Sequence, residues 1–308
     1  MKELIIATRK SQLALWQSEW VKSFLEKEHN IKVVLEGFKT KGDILLDSPL
    51  AKIGGKGLFT KELEQSMLEK KAHLAVHSLK DVPSFFPEGL KLVAISKREE
   101  SNDAMLSQKY PTLKDLPKNA KIGTTSLRRK MQLLLLRPDL NIISLRGNVN
   151  SRIDKLKNGE FDAIVLALAG VKRLNLDSLV NYISVFSKDE MIPAASQGAL
   201  GIEALDMPEI VSLLECLNDE NSVIETTIER DFIRILEGGC QVPIGINAQL
   251  LQDKIHIRAI LGLPDASEFL KEDFLINKSD FKSAGEKLAL KFISLGAKDL
   301  LKRAEVMI

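Results

Sequence analysis

Cys240 stands in the run Glu237-Gly238-Gly239-Cys240-Gln241-Val242-Pro243, at the point where a helical pattern breaks into a glycine hinge. Two glycines before a thiol leave room for a bulky group to be attached, so Cys240 is a candidate covalent anchor. On local sequence alone the commoner outcome for an isolated cysteine is a small buried residue behind a helix C-cap. Arginines recur at a second kind of place, the turn where a strand gives way to a helix. Arg9-Lys10-Ser11 follows a strand pattern at 4–8, Thr124-Thr125-Ser126-Leu127-Arg128-Arg129 follows one at 121–123, and Arg146-Gly147-Asn148-Val149-Asn150-Ser151-Arg152 follows one at 142–145. A helix N-terminus offers unpaired N–H groups, Ser and Thr add hydroxyls, and a guanidinium clamps a carboxylate or phosphate through two bonds. Taken singly, each motif is also what a capped helix with a solvated arginine looks like. Together they read as anion sites, because α/β domains bind ligands at the C-terminal ends of their strands.

His77-Ser78-Leu79-Lys80-Asp81-Val82-Pro83 follows another buried-looking strand, so Lys80 and Asp81 are expected at such an edge. Pro83 biases Val82 to an extended conformation and helps fix the turn. An aspartate here either bonds turn amides or serves as the one carboxylate among cations, able to stabilise a cationic intermediate. The segment 47–59 has Gly54, Gly55 and Gly57 around Lys56 and ends in Leu58-Phe59, a loop or a mobile cover. It is not a phosphate-binding Walker loop, since Gly57 follows Lys56 where Ser or Thr is required. No GxSxG elbow or HExxH pair occurs, and His73 and His77 have no partners at ligand spacing, so no metal is expected.

The elements that must carry these residues alternate in the βαβ manner. Strand patterns at 4–8 and 32–38 flank a helical pattern at 13–28, and strands at 72–76 and 90–95 continue the unit. Strands at 121–124, 142–145 and 161–168 alternate with helices at 127–136 and 149–156. After a helix at 222–237 and the hinge come strands at 246–251 and 255–261 and further helices beyond 279, which reads as a smaller α+β domain. At 308 residues the chain suits two or three such domains.

The charge is balanced, 44 basic against 42 acidic residues for a net +2, so anion recognition has to be local and a nucleic-acid-binding surface is disfavoured. No apolar run approaches the roughly 20 residues that span a bilayer, and the N-terminus shows no signal-peptide pattern, which gives an expectation of a cytoplasmic protein without a membrane partner. Two cysteines, Cys216 and Cys240, supply no disulfide framework.

The motifs Arg9-Lys10-Ser11-Gln12-Leu13-Ala14-Leu15, Gly54-Gly55-Lys56-Gly57-Leu58-Phe59, His77 to Pro83, Thr125-Ser126-Leu127-Arg128-Arg129, Ser144-Leu145-Arg146-Gly147-Asn148-Val149, Gln197-Gly198-Ala199-Leu200-Gly201 and Glu237 to Gly245 occur in one order across nearly the whole chain. In that order the sequence resembles the porphobilinogen deaminase (hydroxymethylbilane synthase) family. The resemblance implies an α/β fold with two similar lobes of the type II periplasmic-binding-protein kind and a smaller α+β C-terminal domain. Its boundaries would be 1–96 plus 197–217 for the first domain, 97–196 for the second and 218–308 for the third.

It also implies a transferase that joins four porphobilinogen molecules head to tail, each losing ammonia, on a dipyrromethane cofactor bound through a thioether to Cys240. Water then releases hydroxymethylbilane. Cys216 would be an ordinary thiol and Asp81 the catalytic carboxylate. Lys80, Ser126, Arg128, Arg129 and Arg146 would hold the cofactor, Arg9, Ser11, Arg152 and Arg173 the substrate, and Lys56 and Phe59 would belong to the covering loop. A monomer is the family's expectation. Each pyrrole brings two carboxylates, about a dozen on a six-ring chain, which would account for a dense local set of arginines on a protein of nearly neutral charge. Two departures stand out: Ser151 where threonine is common, and Ala195-Ser196 where Val-Gly is more usual. A reading from another class is a two-lobed solute-binding protein closing on a dicarboxylate; the missing signal peptide and the third domain with Cys240 argue against it.

Overall fold

The computed structural model describes residues 3–44, 57–238 and 242–307; Lys56 and Cys240 lie outside the described residues. The strands are β1 (Glu3–Arg9), β2 (Lys32–Phe38), β3 (Leu74–Ser78), β4 (Leu90–Ile95), β5 (Asp103–Ser107), β6 (Lys121–Gly123) and β7 (Asn141–Ile143). They continue with β8 (Ala163–Ala167), β9 (Tyr182–Val185), β10 (Leu200–Leu205), β11 (Ile244–Leu251), β12 (Lys254–Gly262) and β13 (Phe269–Asn277). Two compact units result, Met1–Glu99 with Gly198–Val223, and Glu100–Gln197 with Ile224–Ile308.

In the first unit the sheet runs β2-β1-β3-β10-β4. β1 lies parallel to both β2 and β3, whereas β10 is antiparallel to β3 and β4. The helix Gln12–His29 joins β1 to β2 and buries Ala14, Val21 and Leu25, which its periodicity puts on one face. Ser11 caps its start by accepting from the Ala14 amide, and Asn30, with φ at 50°, ends it in the left-handed conformation. Leu4, Ile6 and Leu74 on one face of the sheet and Ala7 and Ala75 on the other are fully buried, so the sheet is packed on both faces, each leucine- or isoleucine-sized side chain contributing about 1.5–3 kcal/mol.

The second unit holds a sheet of order β7-β6-β8-β5-β9 with the same wiring. β6 is parallel to β7 and β8, and β5 is antiparallel to β8 and β9. In each sheet the antiparallel fourth strand follows directly after the edge strand of the other sheet, β5 after β4 and β10 after β9. The two α/β units expected from the alternating patterns therefore share one topology. A separate antiparallel sheet, β11-β12-β13, packs beneath the helices Glu220–Leu236, Phe281–Ser294 and Ala297–Val306. Its core centres on Phe232 and Phe292, edge to face with ring centroids 5.1 Å apart.

Several elements differ from the sequence expectation. The strand expected at 72–76 lies at Leu74–Ser78, and the apolar run 161–168 divides into β8 and a six-residue helix, Leu168–Arg173. β5, β9, β10 and β13 were not foreseen. β13 alternates half-buried and exposed positions, so it carries no continuous apolar run.

Candidate active site

In the first unit, β1 and β3 are parallel neighbours, so their C-terminal ends open on one edge of the sheet. Arg9 ends β1, Ser11 caps the following helix, and Ser78 ends β3. Gln17 on that helix donates to the Ser78 hydroxyl at 2.8 Å, fastening helix to strand end. The chain then makes a single 3₁₀ turn, Leu79–Asp81. Leu79 is fully buried and its amide donates to the Ala199 carbonyl, so the turn is plugged into the core while Asp81 stands exposed. Lys80 beside it is half-buried. Arg9, Ser11, Phe59, Ser78 and Asp81 line one pocket.

Arg9 is held on two sides. Its Nε donates to Asp43 Oδ2 at 3.1 Å and its Nη2 to Asp43 Oδ1, while the guanidinium carbon lies 4.3 Å over the centre of the Phe59 ring. Burial alone would push the Asp43 carboxyl up; the hydrogen bond and charge of Arg9, with bonds from Thr40, bring it below its ordinary value. Nη1 is the part of Arg9 not committed to Asp43. Asp43 was not foreseen, and only its place 34 residues from Arg9 hides it from local reading.

In the second unit β6, β7 and β8 are likewise parallel neighbours with their C-terminal ends on one edge. Ser126 caps the helix Leu127–Leu136, accepting from the Arg129 amide at 3.4 Å, and Asn148 caps Val149–Lys157, accepting from Ser151 at 2.9 Å. Arg146 and Arg152 flank the second cap, half-buried, with Arg152 Nε donating to the Gly147 carbonyl at 2.8 Å. Gly147 has φ at 118°, and a Cβ there would meet Ser151 Oγ at 2.2 Å, so this turn admits glycine alone. Arg173, half-buried, closes the short helix after β8.

Arg128 and Arg129 are placed differently from a solvated clamp. They are 4% and 6% exposed and turn inward onto Asp103. Arg129 also donates to the Val165 carbonyl at 2.8 Å, and Arg128 to that of Ile192 at 2.7 Å. Among the described residues no group of three His, Cys, Asp or Glu is arranged to hold a metal ion, and no helix is long and apolar enough to cross a membrane.

Two α/β sheets, each with cations and hydroxyls at its parallel strand ends, the first also with the exposed Asp81 carboxylate beside them, have the architecture of a carboxylate-handling enzyme or binding protein. Two family models decide between these. The porphobilinogen deaminase, dipyromethane cofactor binding domain matches residues 4–211, and the porphobilinogen deaminase, C-terminal domain matches residues 223–294. A porphobilinogen deaminase of Campylobacter jejuni (strain 81-176) is 74% identical over 306 residues, covering 99% of this chain and 100% of that protein. That of Campylobacter lari is 68% identical over 307 residues, with 99% and 100% covered, and that of Campylobacter concisus 64% over 308 residues, with both chains covered in full. Among solved structures, the methionine-binding protein MetQ aligns at a TM-score of 0.46 and 12% identity, over 74% of this chain and 95% of that one. The chain belongs to the porphobilinogen deaminase family, transferases of tetrapyrrole synthesis with a dipyrromethane cofactor.

Dipyrromethane is polyanionic through its acetate and propionate arms. The donors present, hydroxyl and cap amides at Ser126 and the guanidinium group of Arg146, match that chemistry.

Proposed function

We propose that this chain joins four porphobilinogen molecules head to tail, with loss of ammonia, and releases hydroxymethylbilane by hydrolysis, with Asp81 as the catalytic carboxylate and Cys240 as the covalent anchor. The observation that carries the reading is the exposed Asp81 on a turn pinned by Leu79, in the pocket that Arg9 and Ser11 also line. Dipyrromethane, bound as a thioether to Cys240, supplies the primer.

Asp81 is an acceptor for pyrrole N–H groups, and its negative charge stabilises positive charge shared over the pyrrole ring when ammonia departs. Arg9 meets a substrate carboxylate through Nη1, its other edge immobilised by Asp43, so little side-chain freedom is lost on binding. Ser11, Arg152 and Arg173 complete the substrate contacts, and Lys80, Ser126, Arg128 and Arg146 hold the cofactor, with Arg129, turned onto Asp103 and the Val165 carbonyl, supporting Arg128 from behind. Lys56 and Phe59 belong to the covering loop. The summed charge-assisted contacts, at about 1.5–3 kcal/mol each, would exceed any non-covalent affinity, so the tether retains the growing chain while the arginines orient it.

The proposal extends to three domains, 1–96 with 197–217, 97–196 and 218–308, and to a cytoplasmic monomer that binds no nucleic acid. The net charge of +2 supports the last point. Incubation of the purified protein with porphobilinogen, followed by intact mass and peptide mapping, tests the reading. A ladder of added pyrrole units on the Cys240 peptide is the expected result; an unshifted mass with porphobilinogen unconsumed overturns it.

A further inference from the structure

Asp103 opens β5, and its side chain is fully buried. Three long side chains from different parts of the second unit converge on it. Arg129 donates Nε and Nη2 to Oδ1 at 3.0 and 2.7 Å, and Gln197 Nε2 donates to the same oxygen at 3.0 Å. Arg128 Nη1 lies 2.7 Å from Oδ2 as an ion pair whose angle makes no hydrogen bond, so that oxygen is left without one. Burial alone would push the Asp103 carboxyl up, yet the charges of Arg128 and Arg129, with the hydrogen bond from Gln197, hold it well below the usual carboxylate range. The group is an anion at every working pH.

The two neighbouring arginines are left in different states by this arrangement. Arg129 has Nε, Nη1 and Nη2 all engaged, with Asp103 and with the Val165 carbonyl. Arg128 commits Nη1 alone, to Asp103 and to the Ile192 carbonyl, and keeps Nε and Nη2. Gln197 in turn donates to the Ser101 carbonyl at 2.7 Å, and it is the last residue of this unit before the chain passes to the other at Gly198.

We infer that Asp103 is a positioning residue for the anion site at the start of the helix Leu127–Leu136: it fixes Arg129 as a strut, presents the Nε–Nη2 edge of Arg128 to a carboxylate, and links that orientation through Gln197 to the crossover segment. Asp103 touches no ligand itself, being fully buried. A neutral residue in its place leaves two adjacent guanidinium groups without the anion that sets their geometry, and a displacement of about 1 Å in such a clamp is felt strongly in binding. The inference rests on the proposed porphobilinogen-polymerising function and deepens it by separating the roles of two adjacent arginines.

Asp103→Asn and Gln197→Met test it, each compared with wild type for melting temperature, dipyrromethane content by Ehrlich's reagent, and steady-state kinetics with porphobilinogen. Asp103→Asn is expected to melt cooperatively, to carry less dipyrromethane, and to raise KM roughly tenfold or more with a smaller change in kcat per cofactor-loaded molecule. Gln197→Met, which removes one donor from the same oxygen, is expected to shift KM in the same direction by a smaller factor. Unchanged KM and cofactor content in Asp103→Asn, or a fall in kcat at unchanged KM, overturns the inference. Should Asp103→Asn not fold, Gln197→Met decides, and an unchanged KM there overturns it too. A wild-type protein that leaves porphobilinogen unconsumed instead refutes the enzymatic reading on which the inference stands.

Discussion

The guanidinium of Arg9 lies 4.3 Å over the centre of the Phe59 ring, with Asp43 holding its edge. The ring needs Gly42 beneath it, since a Cβ there would meet Phe59 Cε1 at 2.2 Å. Phe59→Leu keeps apolar bulk and removes the aromatic face, a loss of about 0.5–1 kcal/mol at a partly exposed site. The expected outcome is a rise in KM for porphobilinogen of roughly two- to fivefold with kcat nearly unchanged, read by steady-state kinetics. An unaltered KM would mean that the ring does not orient Arg9 for substrate.

Asp81→Asn preserves shape and removes charge. Because Asp81 is exposed on a turn that Leu79 holds in the core, the variant is expected to melt like wild type. Turnover is expected to fall by about 10²–10³, the range for removing one group that stabilises transition-state charge. Single-turnover assays on cofactor-loaded protein read this directly, and a near-normal rate would remove Asp81 from the chemistry.

Cys216 and Cys240 separate by substitution. Cys216 is exposed and donates to the Leu213 carbonyl at 3.3 Å, with His29 Nε2 3.4 Å from the sulfur. Burial of part of the thiol and the charge of Glu28 push its pKa up, which lowers its thiolate fraction. Cys216→Ala is expected to keep the two-ring adduct and full activity; Cys240→Ala is expected to fold without the adduct. Intact mass and peptide mapping distinguish them, and an adduct on the Cys216 peptide would reverse the assignment.

Ser196 occupies a left-handed backbone position with φ at 61°. Its amide donates to Glu229 Oε2 at 2.5 Å, while its buried hydroxyl has no hydrogen-bond partner. Glycine meets that conformation without steric cost and removes the orphan hydroxyl, each effect worth about 1 kcal/mol. Ser196→Gly is therefore expected to raise the unfolding free energy by roughly 1 kcal/mol net of glycine's greater chain entropy, by denaturant titration. A destabilised variant would show that the hydroxyl has a partner that outweighs the strain.

The parts of the fold that were legible in the sequence are those set by local pattern. The βαβ rhythm of 4–38 and the caps at Ser11 and Ser126 follow from periodicity and from hydroxyls placed before helices. The inward turn of Arg128 and Arg129 was not legible, because its cause, Asp103, sits 25 residues or more upstream on an antiparallel strand that no crossover pattern announces. Asp43 was missed for the same reason. Long-range pairing decided which arginine N–H groups stay available, whereas local sequence decided only where the arginines stand.

Glu64 gives the pH dependence. It is 8% exposed on the helix Lys61–Leu68, facing Glu203 from β10 and His77 from β3, with Thr60 and Lys61 on its own segment. Glu203 is fully buried, its Oε2 3.0 Å from His77 Nε2 and its Oε1 without a hydrogen-bond partner. Burial raises the Glu64 carboxyl above its ordinary value of 4.5; Glu203 adds to this, while Thr60, His77 and Lys61 offset part of it. A carboxyl raised in the folded state favours folding in its protonated form. Its contribution is fully present below pH 4.5 and is lost as pH rises through the folded value. Glu64→Gln mimics the protonated state at every pH, so it is expected to melt roughly a few degrees higher than wild type at pH 7 and to lack the decline that wild type shows above pH 4.5. Melting temperatures of the two proteins from pH 4 to 8 check this, and parallel profiles would show that the carboxylate is accommodated without cost beside Glu203.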